Sequence, residues 1–112
     1  HGRAWFGRRV SAGLVAYVSG EGQSGMRLRM RAWRDAKGDG TPAPFALIPA
    51  SVNLFDNETG ADELVADLAQ LSARAGQPLR LIVLDTLSRM IGSGDEDRAH
   101  DINVVVQRAE QI

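Results

Sequence analysis

The sequence predicts an α/β fold: a parallel sheet with flanking helices, built in the order β-α-β-α-β-α. Three observations predict it. Short apolar runs, Leu14–Val18, Phe45–Ile48 and Leu79–Asp85, each end in polar or turn-forming residues, as buried strands do. Longer segments between them carry apolar residues at helical spacing, most clearly Leu64, Leu68, Leu71 and Ala75. Strands therefore alternate with helices, and parallel neighbours need crossovers that helices usually supply.

The 112 residues fall in the size range of one domain, and 1–112 is read as a single α/β domain. The absence of cysteine excludes a disulfide framework, a Cys-ligated zinc site, an iron–sulfur cluster and thiol catalysis. Apolar residues at 44% and charged residues at 24% match a globular average and argue against wholesale disorder. No apolar run approaches the roughly 20 residues of a membrane span, and no leader pattern opens the chain. The expected location is the cytoplasm, with no membrane partner. Net charge is −1, carried with twelve arginines and a single lysine, Lys37. The chain opens on His1-Gly2-Arg3-Ala4-Trp5-Phe6 without an initiator Met and stops at Gln111-Ile112 inside a helical pattern. It is read as an internal piece of a longer protein; tag removal at one end and a disordered tail at the other is the plainer alternative.

In chain order, residues 1–13 are Gly- and Arg-rich and predict a loop anchored by burial of Trp5 and Phe6. Leu14–Val18 predicts a buried strand running into Ser19-Gly20-Glu21-Gly22. Over 24–37 a period-2 alternation competes with Met26, Met30 and Trp33 at i, i+4, i+7. The lack of β-branched residues decides for a helix, with Ser24 as N-cap and Gly38 as stop. The Met and Trp stripe is expected to pack in the core. Arg27, Arg29, Arg31 and Arg34 are expected to form a solvated helix face rather than to meet DNA phosphate.

Lys37 to Pro42 predicts a loop, Phe45–Ile48 a strand closed by Pro49, and Ala50 to Gly60 a connector with Asn53, Asp56 and Asn57 for turns and caps. A helix over about 61–75 is stopped by Gly76 and Pro78. Leu79–Asp85 is the strongest strand. Gly92 to Asp97 is an acidic loop expected to be a solvated turn, and Ile102, Val105, Val106 and Ala109 mark a last helix. His100 is expected to be exposed and inert.

In an open parallel sheet, ligands bind beyond the C-terminal ends of the strands. Glu21, Asn53 and Asp85 follow or end the three strands, so parallel pairing puts them on one edge. Four apolar residues followed by Asp85 also form the Walker B pattern. A buried strand fixes such a carboxylate at the sheet edge, where it can hold a magnesium ion, usually through water. A second carboxylate, Glu21, can orient and deprotonate an attacking water. Alone, the pattern is weak, because a buried strand needs a polar exit and Asp is a good N-cap. The phosphate cradle G-x-x-x-x-G-K-[ST] is absent: Lys37 is followed by Gly38-Asp39. Gly20 to Gly25 fits G-x-G-x-x-G in spacing, but Glu21 in its middle repels phosphate and no acid ends the next strand.

Val15 to Gly22, the Arg-rich Met26 to Trp33, Leu81-Ile82-Val83-Leu84-Asp85-Thr86-Leu87-Ser88-Arg89 and Gly94 to Asp97, in that order, resemble the RepA-like ATPases of plasmids and phages, AAA-type proteins with a RecA/DnaB-like core. Gly2 to Gly7 is similar to the segment after that family's P-loop helix. The resemblance implies a partial RecA-like P-loop NTPase fold, with Glu21 as the catalytic base and Asp85 as the magnesium-coordinating aspartate. It further implies that Thr86 contacts metal-bound water and that Arg89 contacts a neighbouring site or a substrate strand. Mg and ATP are the implied cofactors of the intact parent, a replicative helicase-type protein acting on single-stranded DNA as a homo-oligomer. The P-loop, the later strand ending in histidines and the arginine finger are absent from residues 1–112, so the chain alone is expected to be inactive and to bind neither cofactor tightly. One alternative is a stand-alone P-loop-less α/β module for binding or oligomerisation, associating through exposed sheet edges. Another, a Toprim-type phosphotransfer domain, would want a second Asp where Leu87 stands.

Overall fold

Among the residues described by the computed structural model (2, 4–20, 22–37, 42–57 and 59–112), the chain runs β1 (Leu14–Ser19), α1 (Gln23–Lys37), β2 (Phe45–Ile48), α2 (Gly60–Ala75), β3 (Leu79–Asp85), α3 (Leu87–Met90) and α4 (Ala99–Ala109). The strands form a parallel sheet in the order β2-β1-β3. This is the α/β class, parallel sheet with flanking helices, that the alternation predicts. No helix among the described residues is long and apolar enough to cross a membrane.

The central place of β1 follows from its composition. Leu14, Ala16 and Val18 are almost fully buried, as only a strand with a neighbour on each side and a helix on its face can be. The path from β1 to β2 steps one way and the path from β2 to β3 steps back across β1. Right-handed crossovers then put α1 and α2 on opposite faces of the sheet. Leu64 and Leu68 of α2 pack on Ala16 and Val18, with Ile48, Ile82 and Leu84 around them. Period-2 alternation sends Val15, Tyr17 and Ser19 to the other face, beneath α1.

α2 ends as its sequence directs. Gly76 takes the left-handed conformation (φ +58°), its N–H donates to Ala73, and Gln77 donates back to Ser72. These two bonds satisfy carbonyls that the last turn would otherwise leave open.

A second apolar cluster joins the connector to the C-terminal helices. Leu54, Ala61, Met90, Ile91 and Val105 are buried together, with Ile102 and Ala109 packed against them. The backbone N–H of Leu54 donates to Met90 at 2.8 Å, and Nη1 of Arg108 donates to the carbonyls of Leu54 and Phe55, each at 2.6 Å. One guanidinium thus ties α4 to the connector through main-chain oxygens, which no side-chain pattern reveals.

Several expectations are corrected. Trp5 and Phe6 are 65% and 86% exposed and do not anchor the loop by burial. Trp5 and Arg8 exchange backbone hydrogen bonds around Phe6 and Gly7, both at positive φ, so the two rings stand on a tight turn and contact each other edge to face at 4.8 Å. α1 starts at Gln23, with Met26 N–H donating to the Gly22 carbonyl, so Ser24 lies inside the helix and does not cap it. Gly38, the expected stop, lies outside the described residues; α1 runs to Lys37. Met26 and Met30 are half-buried, but Trp33 is 53% exposed and is not core. The stripe is narrow, and deeper burial of α1 would carry the flanking Arg29 and Arg34 out of water, a cost that outweighs covering a little more apolar surface. The arginines of α1 are solvated, as expected, and so are His100 and Asp95 to Asp97.

Candidate functional site

Parallel register brings two strand ends together. Ser19 pairs with Asp85, and the N–H of Gly20 donates to the Asp85 carbonyl at 2.8 Å. The chain therefore leaves β1 at the same edge where β3 delivers its carboxylate. Glu21, the other acid singled out by the sequence, lies outside the described residues.

Asp85 is half-buried and faces the α1 side of the sheet. There the hydroxyl of Tyr17 donates to its Oδ2 at 2.5 Å. That hydrogen bond is the main reason why the Tyr17 hydroxyl titrates above the ordinary phenol range. Burial and the charge of Asp85 push the same way, and the charge of Arg29 opposes them. Beyond Asp85 the chain passes through a cis peptide bond to Thr86, whose hydroxyl lies 3.3 Å from that of Ser88. The one-turn α3 then packs against the exit of β1: a Cβ built on Gly20 would stand 3.0 Å from Cβ of Arg89. The carbonyl of Arg89 also accepts from the Ser51 hydroxyl at 3.4 Å. Asp85, Thr86 and Arg89 thus share one edge with the end of β1.

Asn53, the residue expected to follow β2 at this edge, spends its side chain on the connector. Its Oδ1 accepts from the N–H groups of Phe55 and Asp56, and its Nδ2 donates to Asp56 Oδ2 at 2.7 Å. This is a turn-forming use of the side chain. Asp56 in turn accepts from the backbone N–H of Ser93 at 2.8 Å and from the Ser93 hydroxyl, which fastens the loop after α3 to the connector.

These donors hold Asp56 below the ordinary aspartate value, Asn53 first, then the hydroxyl and the N–H of Ser93. The sign follows from linkage. A carboxyl with a lowered folded-state pKa stabilises the fold above its unfolded value, and the contribution disappears as pH falls through the lowered one. The stability difference between the wild-type chain and Asp56→Asn is therefore expected to be full at neutral pH and to shrink as the medium is acidified below the ordinary aspartate pKa of about 3.9. Urea unfolding of both chains across that pH range checks it; a difference independent of pH would refute the assignment.

Tyr17 is the residue that sequence reasoning missed. Its signal is a lone phenol in an otherwise apolar strand, since a buried tyrosine hydroxyl needs a partner. It stands two residues before Ser19, hence on the same face as whatever pairs there. Only the strand order names that partner.

Beside the pair lies an apolar groove of about 570 Å3 between α1 and the sheet, lined by Tyr17, Met26, Met30, Trp33 and Phe45 with Arg29 at its wall. No group of three or more His, Cys, Asp or Glu that could hold a metal occurs among the described residues.

The family model described as AAA domain matches residues 1–112. No curated protein and no solved structure matches the chain.

Proposed function

The chain belongs to the AAA domain family, and on that premise we propose that it carries the Walker B half of an ATP-hydrolysing site of the RepA-like, helicase-type kind. Its three-stranded parallel sheet with flanking helices is consistent with a partial RecA-like P-loop NTPase fold. The observation that carries the reading is the register of β1 and β3, which sets Asp85 beside the strand end that leads into Glu21. In this reading Asp85 holds the cation through its water. Glu21 orients the attacking water and takes its proton, Thr86 supports the cation's water, and Arg89 reaches a neighbouring site or strand.

The donor set supports magnesium. Asp85, Thr86 and Ser88 offer oxygen alone, and Mg2+ keeps several waters and needs only one or two carboxylates beside phosphate oxygens. Asp85, with Thr86 beside it, would hold the ion, which would supply positive charge to offset that of the phosphate oxygens. The phosphate-binding motif G-x-x-x-x-G-K-[ST] is absent from residues 1–112, so in this reading these residues by themselves hydrolyse no ATP. Calorimetric titration of the chain with Mg-ATP is expected to show no micromolar binding, and micromolar affinity would overturn the division of labour.

A direct test of Asp85 uses Mn2+ as the probe. Water-proton relaxation is expected to show a weak Mn2+ site in the wild-type chain. Asp85→Asn should weaken it by at least about tenfold, since a cation held mainly through water has no other carboxylate of this strand to turn to. Equal binding by the two chains would remove Asp85 from the site.

A second reading, a module for binding or oligomerisation, is favoured by β3 as an edge strand of the described sheet with Leu81 half-exposed. Sedimentation distinguishes it: an assembly that Leu81→Lys disperses supports this reading, and a monomer at all concentrations dismisses it.

A further inference from the structure

We propose that Tyr17 is the positioning residue of the cation-binding carboxylate: its hydroxyl holds Asp85 Oδ2, so that Asp85 keeps one orientation when the water of a divalent cation binds at its other oxygen. This inference rests on the reading of Asp85 given above and assigns a task to a residue outside the Walker B strand.

The geometry is specific. Tyr17 pairs with Val83 and Ser19 with Asp85, so the phenol reaches diagonally across one register step to the last residue of β3. The 2.5 Å separation belongs to the short range of hydroxyl-to-carboxylate bonds, in which the charged acceptor makes the bond about twice as strong as a neutral one. The donor is itself held. Tyr17 sits in the middle of the central strand, and its ring lies 6.2 Å from that of Phe45 on β2. Asp85, by contrast, is at a strand end, one residue before the chain turns into α3. A carboxylate there has side-chain torsions that the backbone alone does not fix. Outer partners of this kind orient metal ligands, and their loss typically weakens affinity about 10- to 100-fold.

The groove adds a structural reason for tyrosine rather than a smaller donor. The ring forms part of the apolar wall facing Met26 and Met30, while the hydroxyl alone reaches the strand end. A serine at this position would offer the hydroxyl without the reach. A phenylalanine keeps the wall and removes only the bond.

Tyr17 is the only tyrosine of the chain, so the 112-residue protein labelled with 13Cζ-tyrosine gives a single signal. Three results are expected. The signal moves in Asp85→Asn, because the charged acceptor is gone. It broadens in the wild-type chain on adding Mn2+, because the cation lies near. Tyr17→Phe binds Mn2+ about tenfold more weakly while it still unfolds in one cooperative urea transition, at a somewhat lower midpoint because the bond to Asp85 is gone. A signal unmoved in Asp85→Asn overturns the proposal, and that measurement needs no variant of Tyr17. Wild-type Mn2+ affinity in Tyr17→Phe, with binding lost in Asp85→Asn, overturns the role of Tyr17 and leaves that of Asp85 standing. Wild-type affinity in Asp85→Asn overturns the site itself.

Discussion

Replacing Leu54 by alanine is expected to lower the unfolding free energy by about 3–4 kcal/mol, the upper half of the usual range for a buried leucine. Leu54 is fully buried among Met90, Ile91 and Val105. The cost of such a deletion depends on how far the surroundings collapse into the space left. Here they are pinned. The N–H of Leu54 is bonded to Met90 and its carbonyl to Arg108, so the connector cannot sink toward α4 without breaking one of them. In a protein whose total stability is of order 5–15 kcal/mol, that loss is a large share. The control is Leu28→Ala on the outer face of α1, where the side chain is 68% exposed. A change there should stay within about 0.5 kcal/mol. Urea unfolding of the two variants checks the contrast. Equal midpoints would mean that the C-terminal cluster is not a cooperative part of the core.

The elements that were legible in the sequence are those whose physics is local. Leu79–Asp85 is a short apolar run between Pro78 and a polar exit, and it is β3 to the residue. The Leu64, Leu68, Leu71 stripe and the Gly76 stop define α2 within one residue of its start. Parallel pairing followed from alternation alone. Three things were not legible because they depend on what the chain meets in space. The order β2-β1-β3 is set by crossover geometry, and the partner of Tyr17 waits on it. α3 is a single turn, too short for helical periodicity to show. The bond from Asp56 to Ser93 spans 37 positions between two loops with no apolar pattern. Aromaticity misled at Trp5 and Phe6, since residues 6 and 7 at positive φ close a turn that displays its side chains. Of the site, the strand-end acid was legible and its hydroxyl partner was not.

Gly92→Ala is expected to cost about 3 kcal/mol, far more than a glycine-to-alanine change elsewhere on the surface, and the comparison with Gly76→Ala shows why. Both glycines sit in the left-handed region, at φ +57° and +58°. Placing alanine there costs about 1–2 kcal/mol from the clash of its own Cβ with the backbone. At Gly76 that is the whole cost, because a new Cβ meets nothing within 4 Å. At Gly92 the Cβ lands on the side chains of Asp56 and Asn53. Neither is a free end able to swing away: Asn53 Oδ1 holds the N–H groups of Phe55 and Asp56, while Asp56 holds Ser93. Relieving the overlap means opening that network, comparable to overpacking a core at about 1–3 kcal/mol. The difference between the two variants in urea unfolding therefore isolates the fastening of the loop after α3. It should also fall when Asp56 is already replaced, since a network opened beforehand has less to lose. If Gly92→Ala and Gly76→Ala cost the same, the loop is held by backbone conformation alone, and the carboxylate of Asp56 does not fasten the chain beyond α3 to the connector.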